Sequence, residues 1–389
     1  MRTPVAIVGA GPAGLMLSHL LAQAGIASVV LESRSREYVE HRVRAGVLEH
    51  ATARLLAETG VGERMRREGL VHRGIDIRFD GALHRIDFER LVGRTITVYG
   101  QQEVVKDLIA ARLAAGGDIR FECEDVRVAG FEGNAPRVAF VRAGRAEEIE
   151  CDFIAGCDGF HGVCRESIPA GRLERFERAY PFAWLGVLAS AAPAREELVY
   201  AHHDRGFALF SMRSPTVTRL YLQVPPDEDM AAWPDARLWD ELRTRLAQEG
   251  DWHPNEGPIL EKGITPMRSF VAEPMQCGRL FLAGDAAHIV PPTGAKGLNL
   301  AMRDVRVLSA ALERFHRARD ESGLAAYSRT CLKHVWRAEH FSWWMTAMLH
   351  RFPDNDPFQR RLQRSQLEYV VSSEAAAASL AENYVGYDG

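Results

Sequence analysis

The feature that most constrains the fold lies in the first 32 residues, where three glycines separate an apolar run from a helix-like stretch. Val5–Val8 is predicted to form a buried parallel strand, and Gly9, Gly11 and Gly14 follow with the spacing of a dinucleotide-binding turn. These glycines allow, in order, a tight bend, close approach of a pyrophosphate and close packing of the helix. Glu32 ends the next predicted strand 18 residues after Gly14, where a carboxylate suits a ribose hydroxyl. The pattern predicts an N-terminal βαβ unit that binds a dinucleotide.

Length and charge limit the remaining possibilities. A chain of 389 residues exceeds one ordinary core, which predicts two sequential or interleaved domains. The net charge is -4, with 48 basic and 52 acidic residues well mixed. Such a surface offers no basic field for nucleic acid and no polybasic block for a membrane. The apolar start is broken by glycines, unlike a signal peptide, and no apolar run is long enough to span a bilayer. We expect a cytoplasmic protein without nucleic-acid or membrane partners.

The cysteines predict neither a disulfide framework nor a metal site. None forms a CxxC pair or has zinc-like spacing, so reduced thiols and no bound metal are expected. The six positions are Cys123, Cys151, Cys157, Cys164, Cys277 and Cys331.

Hydrophobic patterning divides the rest of the chain into a strand-rich middle and a helical end. Residues 176–270 contain short alternating or apolar segments separated by turn residues, which favours an antiparallel sheet with one buried face for a substrate. The predicted strands are Phe182–Leu188, Glu197–His202, Phe207–Met212 and Thr218–Val224. Helical periodicity dominates from Ala286 onward.

The segment Ser33–Gly46 is rich in arginine and is predicted to be a loop that leads into a helix near Val47–Thr59. Its position beside the nucleotide turn favours phosphate contacts through residues such as Arg42 and Arg44. A solvated charged loop is the alternative, because surface arginines are common.

Two later motifs indicate a flavin. Asp158 follows the apolar strand Phe153–Gly156, and Asp285 lies in a Gly-Asp turn at the end of another predicted strand. An acid at such a turn can bind a ribityl hydroxyl, while glycine allows the backbone to approach the cofactor. The glycine-rich stretch Pro291–Asn299 then opens a helix, whose backbone N–H groups suit a negatively charged reduced flavin ring.

With these motifs, the chain resembles the single-component, FAD-dependent aromatic hydroxylases over essentially its whole length. The most specific stretches are Arg42–Glu49, Val98–Gln101, Ile154–Gly162, Phe341–Met345 and Ala381–Gly386. The resemblance implies an α/β fold, with a Rossmann-like FAD-binding domain interleaved with an antiparallel-sheet substrate domain and followed by a helical region. The implied FAD-binding segments are 1–72, 99–175 and 271–310, the substrate-domain segments are 73–98 and 176–270, and the helical region is 311–389.

The resemblance also implies tightly but non-covalently bound FAD. Glu32 would contact the adenosine ribose, Arg44 the pyrophosphate, and Leu298 and Asn299 the isoalloxazine. The full set of implied FAD-binding residues is Gly9, Gly11, Gly14, Glu32, Arg42, Arg44, Val47, Gln101, Asp158, Asp285, Gly297, Leu298 and Asn299. Three further charged residues, which bias the flavin position and substrate entry or serve as ordinary ion pairs, are Glu49, Arg219 and Lys296.

The substrate implied by the resemblance is 4-hydroxybenzoate, hydroxylated to 3,4-dihydroxybenzoate with NAD(P)H and O2 through an electrophilic flavin hydroperoxide. Arg213, with Ser211 and Tyr221, matches the family's carboxylate clamp, and a planar guanidinium suits that ligand. Taken alone, Arg213 would be interpreted as a surface arginine at a strand end.

The phenol must lose its proton to make the ring electron-rich. By resemblance, Tyr200 hydrogen-bonds the substrate phenol, Tyr384 is its relay partner, and His72 is the solvent-side terminus, which titrates near neutral pH. The backbone carbonyl of Pro292 would face the substrate hydroxyl and the reacting carbon.

The reductant is expected to dock across the surface, because the family lacks a separate nucleotide domain for it. His161 and Arg268 match positions that meet its pyrophosphate, with Arg42 and Arg165 as possible helpers. The segment that includes Ser33, Arg34 and Tyr38 departs from the NADPH-selective pattern, which has arginine in place of Ser33. We therefore expect NADH and NADPH both to serve.

Other functions compete with this interpretation. The nearest is hydroxylation of 3-hydroxybenzoate or salicylate; more distant ones are a flavin-binding redox sensor and a plain Rossmann dehydrogenase. The aromatic stretch Phe341–Trp344 is either a homodimer contact or part of the core.

Overall fold

The computed structural model describes residues 1–247 and 252–387. Its strands, in chain order, are β1 (Arg2–Val8), β2 (Ser28–Leu31), β3 (Val47–Leu48), β4 (Leu70–His72), β5 (Gly74–Phe79), β6 (Ala82–Asp87), β7 (Ile96–Val98), β8 (Asp118–Arg120), β9 (Cys123–Ala129), β10 (Arg137–Arg142), β11 (Arg145–Gly156), β12 (Glu174–Ala189), β13 (Val199–Ala201), β14 (Ala208–Ser214), β15 (Val217–Val224), β16 (Ile259–Glu273), β17 (Gln276–Cys277), β18 (Leu280–Leu282) and β19 (His288–Ile289).

The helices of the described residues are α1 (Pro12–Gln23), α2 (Arg36–His41), α3 (His50–Glu58), α4 (Glu63–Glu68), α5 (Phe88–Val92), α6 (Gln101–Ala114), α7 (Val163–Glu166), α8 (Asp235–Leu246), α9 (Gly297–Ala318), α10 (Ser322–Leu349), α11 (Pro357–Ser372) and α12 (Glu374–Val385). Short 3-10 turns cover Met230–Ala232, Gly284–Ala286 and Pro292–Gly294. No helix in these residues is long and apolar enough to cross a membrane.

The first large sheet has a parallel centre with the strand order β18-β11-β1-β2-β8. Because β1, β11 and β18 run in the same direction, their carboxyl ends meet at one edge. The three motifs recognised in the sequence, which begin at Gly9, Cys157 and Gly284, therefore lie side by side. Ligands of open α/β sheets bind at this edge.

The second large sheet is mostly antiparallel, with the order β19-β16-β12-β15-β14-β13-β5-β6. It joins strands from both predicted substrate-domain segments, because β13 pairs in parallel with β5. The helices α10 and α12 cover one of its faces, where Phe182, Tyr200 and Phe207 share a core with Met345 and Tyr384.

The segment after β2 differs from the sequence-based expectation. The predicted loop Ser33–Gly46 contains the short helix α2, because the Ser35 side chain caps it by accepting from the Tyr38 amide. The helix expected from Val47 begins at His50, because Val47 and Leu48 pair with β7. β7 also pairs with β4, so this small sheet connects Val47 to His72.

Candidate active site

The glycines of the N-terminal turn are required by close backbone contacts. Gly9 has φ +105°, and a Cβ there would lie 2.3 Å from the Cys157 carbonyl oxygen. A Cβ on Gly14 would lie 2.0 Å from the Gly9 carbonyl oxygen, which explains how closely α1 packs on β1. Gly11, at the start of α1, has open space instead. The turn therefore has a tight base and an accessible mouth, as a pyrophosphate needs.

Glu32 is fixed beside this mouth by backbone amides. Its Oε2 accepts from the Ala10 amide at 2.8 Å and its Oε1 from the Arg34 amide at 2.9 Å. The exposed Ser33 hydroxyl also donates to Oε1, at 3.3 Å. A carboxylate held in this way can accept hydrogen bonds from a ribose.

The Gly284-Asp285 turn is held from behind by Asp304. The Gly284 amide donates to Asp304 Oδ2 at 3.0 Å, and His288 Nε2 lies 2.6 Å from the same oxygen. Gly284 has φ +62°, which glycine adopts without strain. Asp285 itself is exposed at the sheet edge.

The arginine-rich loop approaches the same turn. Burial lowers the pKa of the Arg44 guanidinium, the neighbouring Arg42 lowers it further, and Asp285 opposes them. Gln101 begins α6 beside this loop, since its amide donates to the Ala45 carbonyl oxygen at 3.0 Å. Two cations and an acid thus gather where a phosphate and a ribityl chain would lie.

Asp158 has a local structural contact. Its Oδ2 accepts from the Cys164 amide at 2.8 Å, at the start of α7, while its Oδ1 has no partner among the described residues. A Cβ on Gly162 would lie 2.1 Å from the Asp158 carboxyl carbon, so this turn is tightly closed.

The N-terminus of α9 is tied to β3 by Asn299. Its side-chain oxygen accepts from the Glu49 amide at 2.9 Å, and its nitrogen donates to the carbonyl oxygens of Val47 at 3.0 Å and Ala295 at 2.9 Å. The side chain is therefore fully used. The first N–H groups of a helix, here from Gly297 to Asn299, have no partner within the helix and can stabilise negative charge.

Lys296 precedes this helix and is almost fully buried. Its Nζ pairs with Glu49 Oε1 at 2.5 Å and donates to the Tyr384 carbonyl oxygen at 2.9 Å. Burial lowers the pKa of Lys296, while the Glu49 charge opposes that shift.

The register of the second sheet assembles a pocket between two polar ends. Tyr200 lies opposite Leu209, and Leu209 lies opposite Tyr221, so the two tyrosines occupy the same rung two strand spacings apart, about 10 Å. Ser211 is two residues beyond Leu209 on β14 and shares its face. This span suits one aromatic ring with a substituent at each end.

Arg213 is at one end of the pocket. Its Nη1 donates to the Met212 carbonyl oxygen at 2.9 Å and to Ser211 Oγ at 3.3 Å, and its Nη2 donates to the Tyr221 hydroxyl at 3.4 Å. The Arg219 guanidinium lies over the Tyr221 ring, 5.1 Å from its centroid.

This end carries positive charge that no described carboxylate neutralises by an ion pair. Burial would raise the pKa of the Tyr221 phenol, but the charges of Arg213 and Arg219 outweigh it and lower that pKa. Burial also lowers the pKa of Arg213. The Nε atoms of both arginines lack partners among the described residues. The arrangement favours an anionic ligand group.

At the other end, the hydroxyls of Tyr200 and Tyr384 lie 2.5 Å apart, and both side chains are about 1% exposed. Burial raises the pKa of both phenols. Both tyrosines are therefore neutral at pH 7 and can pass a proton along their hydrogen bond. The carbonyl oxygen of the exposed Pro292 accepts from the Ala295 amide at 3.0 Å.

His72 differs from the sequence-based expectation. It was expected to face solvent and titrate near neutrality, and that expectation is wrong for this structure. Its side chain is 0% exposed, and neither ring nitrogen has a hydrogen-bond partner among the described residues. Burial and the charge of Arg85 lower the pKa of His72 to about 4.

A cluster around Phe160 gathers the residues expected to meet the reductant. Arg268 lies over its ring at 4.8 Å, and the exposed His161 ring lies 5.0 Å from it. Earlier in the chain, Arg34 and Arg42 both lie over the exposed Tyr38 ring.

Arg165 corrects the same expectation, because it is not available for direct contact. It is 4% exposed, donates to the carbonyl oxygens of Ala286 (3.0 Å) and Phe160, and lies between the rings of Phe160 and Phe270. Its buried side chain therefore links the segments of Phe160 and Ala286 inside the protein.

One buried pair escaped the sequence analysis. Trp184 Nε1 donates to His350 Nε2 at 2.7 Å, and the Trp184 ring lies 4.8 Å from Tyr221. No motif marks this pair; only the placement of an indole in the inward-facing row of a strand could have indicated it. The pair fixes one wall of the pocket.

The described part of the chain contains neither a disulfide nor a candidate metal site. Its cysteines are all unpaired thiols, five of them buried. No group of three potential metal ligands occurs within residues 1–247 and 252–387.

Comparison with known proteins identifies the family. A family model described as FAD binding domain matches residues 2–342. p-Hydroxybenzoate hydroxylase from Acinetobacter baylyi is 51% identical over 387 residues, which cover 99% of this chain and 96% of that protein. The chain belongs to the FAD-binding-domain family.

Solved structures confirm the fold of this flavoprotein. p-Nitrophenol 4-monooxygenase from Pseudomonas putida DLL-E4 superposes with a TM-score of 0.84 at 20% identity and covers 100% of both chains. Aklavinone-11 hydroxylase, solved with FAD and aklavinone, has a TM-score of 0.74 at 22% identity, covering 90% of this chain and 69% of that one.

The residues at the sheet edge fit FAD. Gly11 leaves room for a pyrophosphate, Glu32 is an anchored acceptor, and the exposed Asp285 lies near two arginines. The start of α9 supplies N–H groups for the ring system.

Proposed function

We propose that this flavoprotein is a p-hydroxybenzoate hydroxylase. It uses NAD(P)H and O2 to convert 4-hydroxybenzoate into 3,4-dihydroxybenzoate, so that one oxygen atom enters the ring and the other leaves as water. FAD, when bound, accepts the hydride and activates O2. One observation carries the proposal. The guanidiniums of Arg213 and Arg219, which have no ion pair with a described carboxylate, lie at one end of the pocket, two strand spacings across the sheet from the tyrosine pair.

Arg213 binds the substrate carboxylate, assisted by the hydroxyls of Ser211 and Tyr221. A charge-assisted pair in this buried position orients the ring and places its phenol near Tyr200. Trp184 and Leu209 contribute apolar surface against the ring.

Tyr200 hydrogen-bonds the substrate phenol. Because Tyr200 and Tyr384 both remain neutral, the pair can accept the phenol proton at one end and release it at the other. The resulting phenolate makes the carbon ortho to it electron-rich, and the Pro292 carbonyl borders that position.

His161 and Arg268 bind the reductant's pyrophosphate beside Phe160, and the segment from Ser33 to Tyr38 contacts its adenosine half. FAD is held by the sheet-edge residues, with Glu32 at the ribose, Arg44 at the pyrophosphate and α9 at the ring. We also propose the domain boundaries expected from the sequence. The FAD-binding segments are 1–72, 99–175 and 271–310, the substrate-domain segments are 73–98 and 176–270, and the helical region is 311–389.

The test is aerobic NAD(P)H oxidation with product analysis for 4-hydroxybenzoate, 3-hydroxybenzoate, salicylate and 4-hydroxybenzamide. We expect 3,4-dihydroxybenzoate from the first, and kcat/KM lower by a factor of about 100 or more for the amide, which lacks the charge for Arg213. A higher kcat/KM for 3-hydroxybenzoate or salicylate would instead assign a different substrate.

We further infer a cytoplasmic homodimer. The aromatic stretch divides between two roles, because Phe341 is buried against Tyr384 while Trp343 is 38% exposed. Trp336, Phe358 and Tyr369 also expose aromatic surface on the C-terminal helices, which supports a contact there. Light scattering that gives a monomer mass at micromolar concentration would exclude the dimer.

A further inference from the structure

His72 ends β4 as a fully buried imidazole whose two ring nitrogens have no partner among the described residues. Buried polar groups are nearly always hydrogen-bonded, so this position needs an explanation. The ion pair beside the residues that follow His72 supplies one.

An ion pair covers the backbone that follows His72. Glu197 Oε1 accepts from the Arg73 amide at 2.7 Å, and Glu197 also pairs with Arg85. The Arg85 guanidinium rests against Gly74, where a Cβ would lie 2.9 Å from its central carbon. Only glycine allows this approach. We call this pair the Arg85–Glu197 clamp.

The clamp lies at the protein surface. The Arg85 side chain is 42% exposed and that of Glu197 is 14% exposed, whereas His72 is 0% exposed. Arg85 also faces Asp76 across the β5–β6 register, with 4.0 Å between the charged atoms. A partly exposed ion pair thus lies against the two residues that follow a buried imidazole.

Charge reinforces this cover. After burial, the charge of Arg85 is the second cause that lowers the pKa of His72. Within the described residues, the ion pairs beside this position involve Arg73, Asp76, Arg85, Glu89, Arg195 and Glu197. A partly exposed ion pair of this kind is worth little energy, so it can part readily.

We propose that the Arg85–Glu197 clamp is a gate for proton exchange at His72. While closed, it separates the imidazole from water; when the two side chains part, His72 takes up a proton from within the protein and releases it to solvent. The inference rests on the proposed function in one respect, namely that the proton comes from the substrate phenol through Tyr200 and Tyr384. Arg85 and Glu197 are positioning residues, since neither contacts the substrate pocket residues.

The first test is independent of the reaction. In holoenzyme with nitrogen-15-labelled histidine, NMR follows the titration of His72, assigned with His72→Asn. We expect no titration from pH 5.5 to 8 in the wild type, and a pKa higher by at least one unit in Arg85→Met, which removes the charge and opens the cover. Arg90→Met, an exposed arginine on α5, is the matched control and should leave the pKa of His72 unchanged.

The second test is the rate of proton release when 4-hydroxybenzoate binds, followed with a pH indicator by stopped flow. Arg85→Met should accelerate release at least threefold, and Glu197→Gln, which keeps an acceptor for the Arg73 amide, should act in the same direction. Arg85→Lys serves if Arg85→Met does not fold, with a smaller acceleration expected.

The gate is overturned if either the pKa of His72 or the release rate in Arg85→Met equals that of Arg90→Met. If the wild type makes no 3,4-dihydroxybenzoate, the proposed function fails separately, and the NMR titration still tests the clamp.

Discussion

At the scale of single residues, Arg213 is held in a position that would be costly without an anionic ligand. Among the described residues, its guanidinium donates hydrogen bonds to a carbonyl and two hydroxyls, and the charge of another cation, Arg219, acts on it. The sequence identified this residue by resemblance alone. The register of β14 and β15 supplies the physical reason for it.

Arg213→Ala is expected to weaken 4-hydroxybenzoate binding by about 2–4 kcal/mol, because a buried carboxylate loses its charge-assisted partner. FAD content should be unchanged. Titration of the substrate against the flavin absorbance measures the Kd, and the exposed Arg142→Ala is the control. An unchanged Kd in Arg213→Ala would contradict the role of Arg213 in binding the substrate carboxylate.

Tyr200→Phe should retain substrate binding within roughly tenfold, about 1.4 kcal/mol, because only one hydroxyl contact is lost. Phenol activation should fail, so that hydrogen peroxide replaces most of the hydroxylated product. Tyr180→Phe is a matched control, since the Tyr180 hydroxyl contacts Ser269 at 3.3 Å instead of the tyrosine pair. Full coupling of NAD(P)H to product in Tyr200→Phe would refute the role.

At the scale of elements, hydrophobic patterning correctly predicted strands whose structure depends mainly on their own sequence. The strand predicted at Thr218–Val224 lies within β15, and the apolar run at Phe182–Leu188 lies within β12. Patterning failed where a distant partner decides the structure. Val47 and Leu48 form a strand because β7 lies beside them, and the buried His72 likewise pairs with Ile96 of β7, a segment distant in the chain.

The hydrogen bond from Trp184 on β12 to His350, the residue that follows α10, allows a stability test. His350→Phe leaves the buried Trp184 N–H without an acceptor and should lower the free energy of unfolding by about 1–3 kcal/mol. His350→Gln keeps an acceptor and should lose less. Urea unfolding followed by tryptophan fluorescence measures both variants, and equal losses would exclude the hydrogen bond as the cause.

The same histidine predicts a pH dependence. Burial lowers the pKa of His350 to about 3, below its ordinary 6.5. The unfolded chain therefore binds a proton that the folded protein does not, and wild-type stability falls as the pH drops below about 6.5, by roughly 1.4 kcal/mol per unit. Both His350 variants should show a slope smaller by one proton between pH 5 and 6; an unchanged slope would show that His350 is not buried in its neutral form.

We propose that the segment with α2 determines which reductant is preferred. Ser33 lacks the guanidinium that would bind a 2′-phosphate, while Arg34 and Arg42 lie over Tyr38 nearby and Glu37 adds opposing charge. We expect kcat/KM for NADH and NADPH to differ by no more than about tenfold, and Ser33→Arg to shift the ratio towards NADPH. A hundredfold preference in the wild type would show that one contact dominates.

At the scale of the whole molecule, the site depends on contacts between segments far apart in the chain. Parallel β1, β11 and β18 bring three motifs to one edge, and motif spacing sufficed to predict that FAD edge. The link from Glu49 to Lys296 and the one from Tyr200 to Tyr384 each join segments that no local pattern connects. Without the resemblance, the substrate pocket could not have been predicted, because its geometry arises from register and burial.

The most direct measurement of the central claim is turnover of 4-hydroxybenzoate under oxygen-18-labelled O2, with mass spectrometry of the product. The account predicts 3,4-dihydroxybenzoate that carries one labelled oxygen atom, formed in proportion to the NAD(P)H consumed, and no label when only the water is enriched. Oxidation of NAD(P)H to give hydrogen peroxide alone, or a product whose new oxygen comes from water, would contradict it.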